Sequence, residues 1–511
     1  MGRVVAGFAA HPWRALALMG AVLLVCALTY PVDHDESQYH AAAMLAGLPY
    51  RDFMYLQPPV QPLLAGPLLR LFDGWSFIAA RALTGALGFG VVALAYAAQR
   101  RQGVGAPLAL ATAALMALCH TFGFSTSVFR NDALPAALLA LALWIAAGGR
   151  FEWGRWLAIG LCLGVATGTK ISYLAMAGAA GAFPLAVFLF AAEERGAAFR
   201  AGLAYAAGLA LALMPLLAMR AMAPESFDYD LFGFHAEAPF AWYEAVGRGY
   251  RLRPWAKLYD VPYVLVRGPA LAALIGYGWY RWQHYRRHGL QFAFLLLIDL
   301  MVLAGLAATM GPTPTHRQYA MPLLPPLFVG LGMVIARSGI GGAPRALRRG
   351  LALGAVVGGA HLAWFVVAGP LTGALTPAQV TREAHWIGAV ARAERVAGPV
   401  ATLSPHVAID SRLPLDPLFA AGPFAFRTGD AVAADRQARL GMVSPATLAR
   451  HFAVRRPAVI VTGYEEGGPT PQTRLDDVLR RHARALGYRL FRSPYGAAEA
   501  WLAPRGRAIR R

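Results

Sequence analysis

Long apolar runs alternate along most of the chain with short loops that carry arginine. Eleven such runs stand out, at about 15–32, 82–98, 104–119, 133–149, 156–169, 171–192, 201–219, 261–280, 290–311, 318–336 and 350–371. A bilayer core takes about 20 apolar residues per helix, so these runs predict membrane spans, with 156–169 the shortest. One or two runs of this kind fit the buried core of a soluble protein; eleven do not. The predicted fold class is therefore an α-helical polytopic membrane protein with about 11 transmembrane helices.

The loops between the runs divide by charge. One set holds Arg3, Arg14, Arg100, Arg101, Arg150, Arg155, Arg195, Arg200, Arg281, Arg286, Arg287, Arg337, Arg345, Arg348 and Arg349 against the acids Glu152, Glu193 and Glu194. The opposite set holds Asp33, Asp35, Glu36, Asp52, Asp73, Asp132, Glu225, Asp228, Asp230, Glu237, Glu244 and Asp260. The positive-inside rule puts the arginine-rich set in the cytoplasm, so eleven crossings place the N-terminus inside and the C-terminus outside. Arg3 and Arg14 ahead of the first run also suit a secretory signal, but that run is long, has no small-x-small cleavage site and precedes further spans. It is expected to remain as the first helix.

Three outer segments are long. Residues 33–81 begin polar and end semi-apolar, and residues 220–260 mix aromatics with arginine (AWYEAVGRGYRLRPWAKLYD), a composition that rests at the headgroup layer. The tail, 372–511, alternates a helical pattern (TPAQVTREAHWIGAVARAERV) with short β-like runs (PAVIVTG, YRLFRSP). It predicts a small extracytoplasmic α/β domain behind a membrane domain of residues 1–371.

Composition agrees with this reading. The chain is 57% hydrophobic and 14% charged, where soluble domains carry roughly a quarter charged residues. A net charge of +20 raises the question of nucleic acid. The arginines sit in short clusters between apolar runs, and no basic face interleaved with aromatics occurs, so nucleic acid is excluded and the lipid bilayer is the expected partner. Cys26, Cys119 and Cys162 all fall in apolar runs without disulfide or metal spacing and read as packing residues.

Chemistry concentrates at Asp33-His34-Asp35-Glu36, directly after the first run. A plain helix start accounts for part of it: Asp33 can cap, and Glu36 can reach back as in a capping box. That arrangement leaves Asp35 unexplained. At a helix N-terminus the dipole favours its ionised form, and a carboxylate at an outer cleft can take the proton of an acceptor hydroxyl. Three carboxylates can also hold a hard cation, and whether a divalent metal joins them stays open. Asp299 and Arg267 lie inside apolar runs, where charges are paired or functional.

The stretch DHDESQYHAAAMLAGLPYRDFMYLQPPVQPLLAGPLLRLF, with FIAARALTGALG after it, resembles the first outer loop of the GT-C superfamily of membrane glycosyltransferases, which includes the protein O-mannosyltransferases and the lipid A aminoarabinose transferases. The matching positions are Asp35-Glu36, Tyr39, Gly47, Pro58-Pro59 and Arg81, with Gln57 where several relatives carry Lys or His. The resemblance extends through SVFRNDALPAALLALALW, in which Asp132 matches a second acid beside Arg130 and Asn131. It also takes in GTKISYLAM, with Lys170, and HRQYAMPLLPPLFVGLG, with His316 and Arg317. A helix cap is the plain alternative for Asp132, and interfacial anchoring for His316 and Arg317.

What the resemblance implies is an inverting glycosyltransferase that moves a sugar from a polyprenyl-phosphate carrier to a glycan, lipid or protein acceptor at the outer face of a bacterial inner membrane. Asp35 is the implied general base, with Glu36 and Asp132 the accompanying catalytic acids. Arg81, Lys170, Arg251, Arg253, His316 and Arg317 are the implied donor-phosphate contacts, and Tyr39, Gln57, Pro58 and Pro59 form the substrate loop. The absence of a phosphate-binding glycine loop favours a lipid-linked donor over a nucleotide sugar. A transporter or flippase, or a non-catalytic envelope-assembly protein, is the alternative; no internal repeat supports the first.

Overall fold

The computed structural model describes residues 11–149, 151–289, 291, 293–338, 344–465 and 473–504. Arg3 and Arg150, counted above among the loop arginines, lie outside them. The chain forms two compact units: Met1–Tyr30, Ala82–Pro215 and Arg253–Ala368 make the first, and Pro31–Arg81, Leu216–Leu252 and Gly369–Arg511 the second.

Each of the eleven predicted runs falls on helix. Six helical stretches are long and apolar enough to cross a bilayer: Pro12–Thr29, Ser76–Arg101, Ile171–Phe190, Ala192–Met222, Arg317–Ser338 and Arg345–Ala393. Two more runs are each split into a bent pair, Ala106–Ala117 with His120–Ser127 at 71° and Ala256–Val266 with Ala270–His288 at 96°. The other three are shorter apolar helices, Ala133–Ala146, Trp153–Thr169 and Phe294–Met310. The eighth run is thus not one straight helix. Arg267 caps the C-terminus of Ala256–Val266 at the bend, with Gly268 beside it at φ +136°.

The first unit is an all-helical bundle with an apolar core that includes Leu139, Leu163, Met176, Ile298, Leu327 and Phe328. Small residues let its helices approach. A Cβ on Gly160 would sit 2.2 Å from the Tyr205 carbonyl oxygen, and one on Gly208 would sit 2.2 Å from that of Leu157. Trp153–Thr169 and Arg195–Met222 therefore cross backbone to backbone, a packing available only without side chains there. The charges buried in the bundle are paired. Asp299 accepts from Arg281, with Nη2 to Oδ2 at 2.5 Å, and from the hydroxyls of Tyr277 and Tyr285. Arg267 instead stacks its guanidinium 5.0 Å from the Tyr263 ring.

The second unit contains the α/β tail. Its sheet has the order β1-β2-β4-β3, with β1 Val400–Thr402, β2 Val459–Thr462, β3 Arg489–Arg492 and β4 Glu499–Leu502. β1 and β2 run parallel, and β4 is antiparallel to both its neighbours. Both predicted β-like runs supply strands, and the predicted tail helix is Pro377–Ala393, opened by a Thr376–Gln379 capping box. The loop and tail segments share one apolar cluster of Met54, Leu56, Tyr229, Phe234, Phe424 and Met442. Asp410 of the tail accepts hydrogen bonds from the backbone N–H groups of Ser76 and Phe77, both at 3.1 Å, and from the Ser76 hydroxyl. These are the first orphan donors of helix Ser76–Arg101, so the tail caps the helix that follows the first outer loop.

Candidate functional site

In the second unit the acidic cluster opens helix Glu36–Met44. Glu36 Oε2 accepts from the Asp33 backbone N–H at 2.9 Å, and Asp33 Oδ1 accepts from the Asp35 N–H at 3.0 Å. The reach-back expected of a capping box is present, while Asp35 occupies the N-cap and makes no capping bond with its own side chain. Its carboxylate is 19% exposed and lies 3.4 Å from His34 Nε2. One ligand atom each from Asp33, His34 and Asp35 fall within 4.8 Å of one another, a spacing that suits a shared cation.

Glu36 and Arg81 form an ion pair. Arg81 Nε lies 2.5 Å from Glu36 Oε1, Nη2 lies 2.6 Å from Oε2, and neither side chain is exposed. Nη2 also donates to the Pro31 carbonyl at 3.1 Å. Both groups are buried and paired with each other beside the acidic cluster.

The substrate-loop residues line up behind this pair. Tyr39 is buried edge-on to Tyr55 with ring centroids 6.3 Å apart. The Gln57 carbonyl accepts from the Tyr50 hydroxyl at 2.5 Å, and its amide lies 3.5 Å from His235 Nε2. Pro58 precedes Pro59, which caps helix Val60–Leu69. Gly47 is required where it stands, since a Cβ would lie 2.5 Å from that of Asp52. Asp230, counted in the sequence only as an outer-loop acid, is fully buried and accepts from the Tyr55 N–H at 3.0 Å. Burial lifts its carboxyl well above the usual carboxylate range.

In the first unit Asp132, Lys170, Arg130 and Arg317 come together. Asp132 stands at the N-cap of Ala133–Ala146 and, contrary to the plain capping alternative, makes no capping bond with its side chain. Its Oδ1 instead takes the Lys170 ammonium, and its Oδ2 lies 3.4 Å from Arg130 Nε. Lys170 occupies the break between Trp153–Thr169 and the turn Ile171–Tyr173, and its Nζ lies 5.2 Å from the Tyr319 ring centroid. Arg317 and Arg130 flank Phe124, at 3.5 and 5.7 Å from its centroid. His316 lies 5.9 Å ring to ring from Tyr319. Two cations, Lys170 and Arg130, meet the Asp132 carboxylate and Arg317 shares the Phe124 ring with Arg130, an excess of positive charge suited to an anion. Arg130 is the member that the sequence offered only as a neighbour of Asp132.

The second-loop cations divide. Arg251 is half-buried in the turn Gly249–Leu252, and Arg253 is exposed with its guanidinium 5.4 Å from the Trp255 ring. Lys257 is spent on the end of Phe294–Met310, donating to the Gly311 carbonyl at 2.9 Å and to that of Met310.

The bent helices and the α/β tail belong to a GT-C-like fold that the chain shares with solved membrane-protein structures. It is similar in structure to ArnT from Cupriavidus metallidurans. The match to apo ArnT has TM-score 0.60 and 16% identity, over 96% of this chain and 98% of that one. The match to ArnT bound to undecaprenyl phosphate has TM-score 0.57 and 16% identity, over 95% and 97% of the two chains. No protein-family model matches the sequence, and comparison with curated proteins gives no match.

Proposed function

We propose that this chain is a glycosyltransferase of the inner membrane that moves a sugar from a polyprenyl-phosphate carrier to an acceptor hydroxyl at the periplasmic face. The observation that carries the reading is Asp35: a partly exposed carboxylate on a residue whose backbone N–H donates to Asp33, next to a buried Glu36–Arg81 pair. The fold supports it, since ArnT with the same architecture has been crystallised with undecaprenyl phosphate.

In this reading Asp35 accepts the proton of the acceptor hydroxyl as its oxygen attacks the anomeric carbon. The bond from that carbon to the phosphate oxygen breaks on the opposite side, which inverts the configuration and releases polyprenyl phosphate. Negative charge builds on the leaving phosphate, and fixed cations stabilise it as it forms. Arg130, Lys170 and Arg317 take that role, and Asp132 orients Lys170. Glu36 and Arg81 are positioning residues.

The test is reconstitution of the purified chain in liposomes with an undecaprenyl-phosphate sugar and a lipid fraction from the host envelope. Release of undecaprenyl phosphate together with a glycosylated product is expected. Movement of the intact lipid-linked sugar across the bilayer without cleavage would instead identify a flippase.

A further inference from the structure

The second unit contains a cleft of about 270 Å³ that the proposed reaction does not use and that meets the acidic cluster only at His34. Its lining includes His34, Gln379, Ser404, His406, Tyr464 and Glu465. His406 is the telling member. It is 3% exposed, stacks on Phe77 with centroids 5.3 Å apart and stands edge-on to Tyr464. Neither of its ring nitrogens has a hydrogen-bond partner among the described residues. A buried imidazole left in that state forgoes both a donor and an acceptor. Proteins seldom leave such groups unmet without a ligand or water to meet them.

The chemistry of the lining narrows the ligand. Burial, with His40 and Arg81 nearby, pushes His406 down to about 3, so the ring is neutral and offers one donor and one acceptor. Burial and the neighbouring Asp476 push Glu465 up to about 8, against the pull of Arg427, so at neutral pH it carries a proton and can donate. Ser404 adds a hydroxyl, and Val32 and Leu375 add apolar surface. None of the lining residues is Lys or Arg. Among the described residues the lining itself offers a phosphate no cation. Alternating neutral donors and acceptors over an apolar patch match an uncharged, hydroxyl-rich ring. His34, which lines the cleft, also lies 3.4 Å from the Asp35 carboxylate.

We propose that this cleft is a subsite for an uncharged sugar ring, which binds the acceptor so that one of its hydroxyls is presented toward Asp35. The assignment of the ring to the acceptor rests on the glycosyltransferase reading; the assignment of the cleft to a neutral sugar does not.

Saturation-transfer NMR on the full chain in detergent, with the methyl glycosides of glucose, galactose, mannose and N-acetylglucosamine as probes and inorganic phosphate as control, tests it. At least one glycoside is expected to bind and phosphate to leave its signal unchanged. His406→Phe, which keeps the stacking and removes both nitrogens, should weaken binding at least tenfold. Ala497→Trp does the same by filling the cleft from an exposed rim position, and carries the test if His406→Phe fails to fold. Glycoside binding is read without any transfer step, so a wrong base assignment and a wrong subsite give different results. Absence of binding across the panel, equal binding by the folded variants, or displacement of the glycoside by phosphate would each overturn the proposal.

Discussion

Glu36 and Arg81 meet through two parallel contacts of 2.5 and 2.6 Å with neither side chain exposed, and this pair ties the helix that carries the acidic cluster to the start of Ser76–Arg101. A buried pair of this kind is costly to break from one side, because the remaining charge has lost its water as well as its partner.

Removing one partner should therefore cost far more than removing both. Glu36→Gln or Arg81→Met alone is expected to destabilise the protein by about 3–5 kcal/mol. The Glu36→Gln/Arg81→Met double variant should lose less than the sum. Arg81→Lys should behave like a loss, since an ammonium cannot reproduce the fork. Thermal unfolding in detergent of the single and double variants measures this.

The same logic separates structure from chemistry at Asp132 and Lys170. Lys170→Met should lower stability by about 3–5 kcal/mol, because Asp132 stays buried with only the longer Arg130 contact. Adding Asp132→Asn should recover most of that stability and none of the transfer activity. Recovery of activity in the double variant would show that the pair only holds the helices together. The readouts are melting temperature and turnover side by side.

Much of this was legible in the sequence, for a physical reason. Each bilayer-crossing run must satisfy its backbone internally, so helix at those positions follows from apolar length alone. The short runs PAVIVTG and YRLFRSP became β2 and β3 because β-branched and aromatic residues fit a half-buried pleat. The local bonds from Asp33 to Glu36 followed from spacing. Long-range partnerships did not. Nothing in the spacing of residues 76 and 410 announces that Asp410 caps a helix begun more than three hundred positions earlier. The partner of Asp299 is Arg281 rather than Arg267, because the 96° bend turns Arg267 out of the helix. His406 and Glu465 carried no motif, and burial alone makes them notable.

Asp410 gives a third prediction. Asp410→Ala leaves the N–H groups of Ser76 and Phe77 without their acceptor, and the loss should cost about 1–3 kcal/mol. Hydrogen exchange should rise first at residues 76–79, with little change at the far end of that helix. Uniform protection along the helix would show that the cap is dispensable.

Glu465 sets a pH dependence. Its folded value is pushed up to about 8 from an ordinary 4.5 by burial and Asp476, with Arg427 opposing. Between those values the unfolded chain gives up a proton that the folded chain keeps, so stability falls as pH rises from 4.5 toward 8. Glu465→Gln should remove that slope. The variant is expected to melt above wild type at pH 8 and near it at pH 4.5. Identical pH profiles for the two proteins would show that Glu465 is ionised throughout.

The most direct measurement is the rate of sugar transfer from an undecaprenyl-phosphate donor by Asp35→Asn, with folding checked by melting temperature. A general base contributes about 10²–10⁴-fold, so turnover should fall by at least a hundredfold while the melting temperature stays within a degree or two of wild type. A folded Asp35→Asn protein that transfers sugar at the native rate would contradict the account.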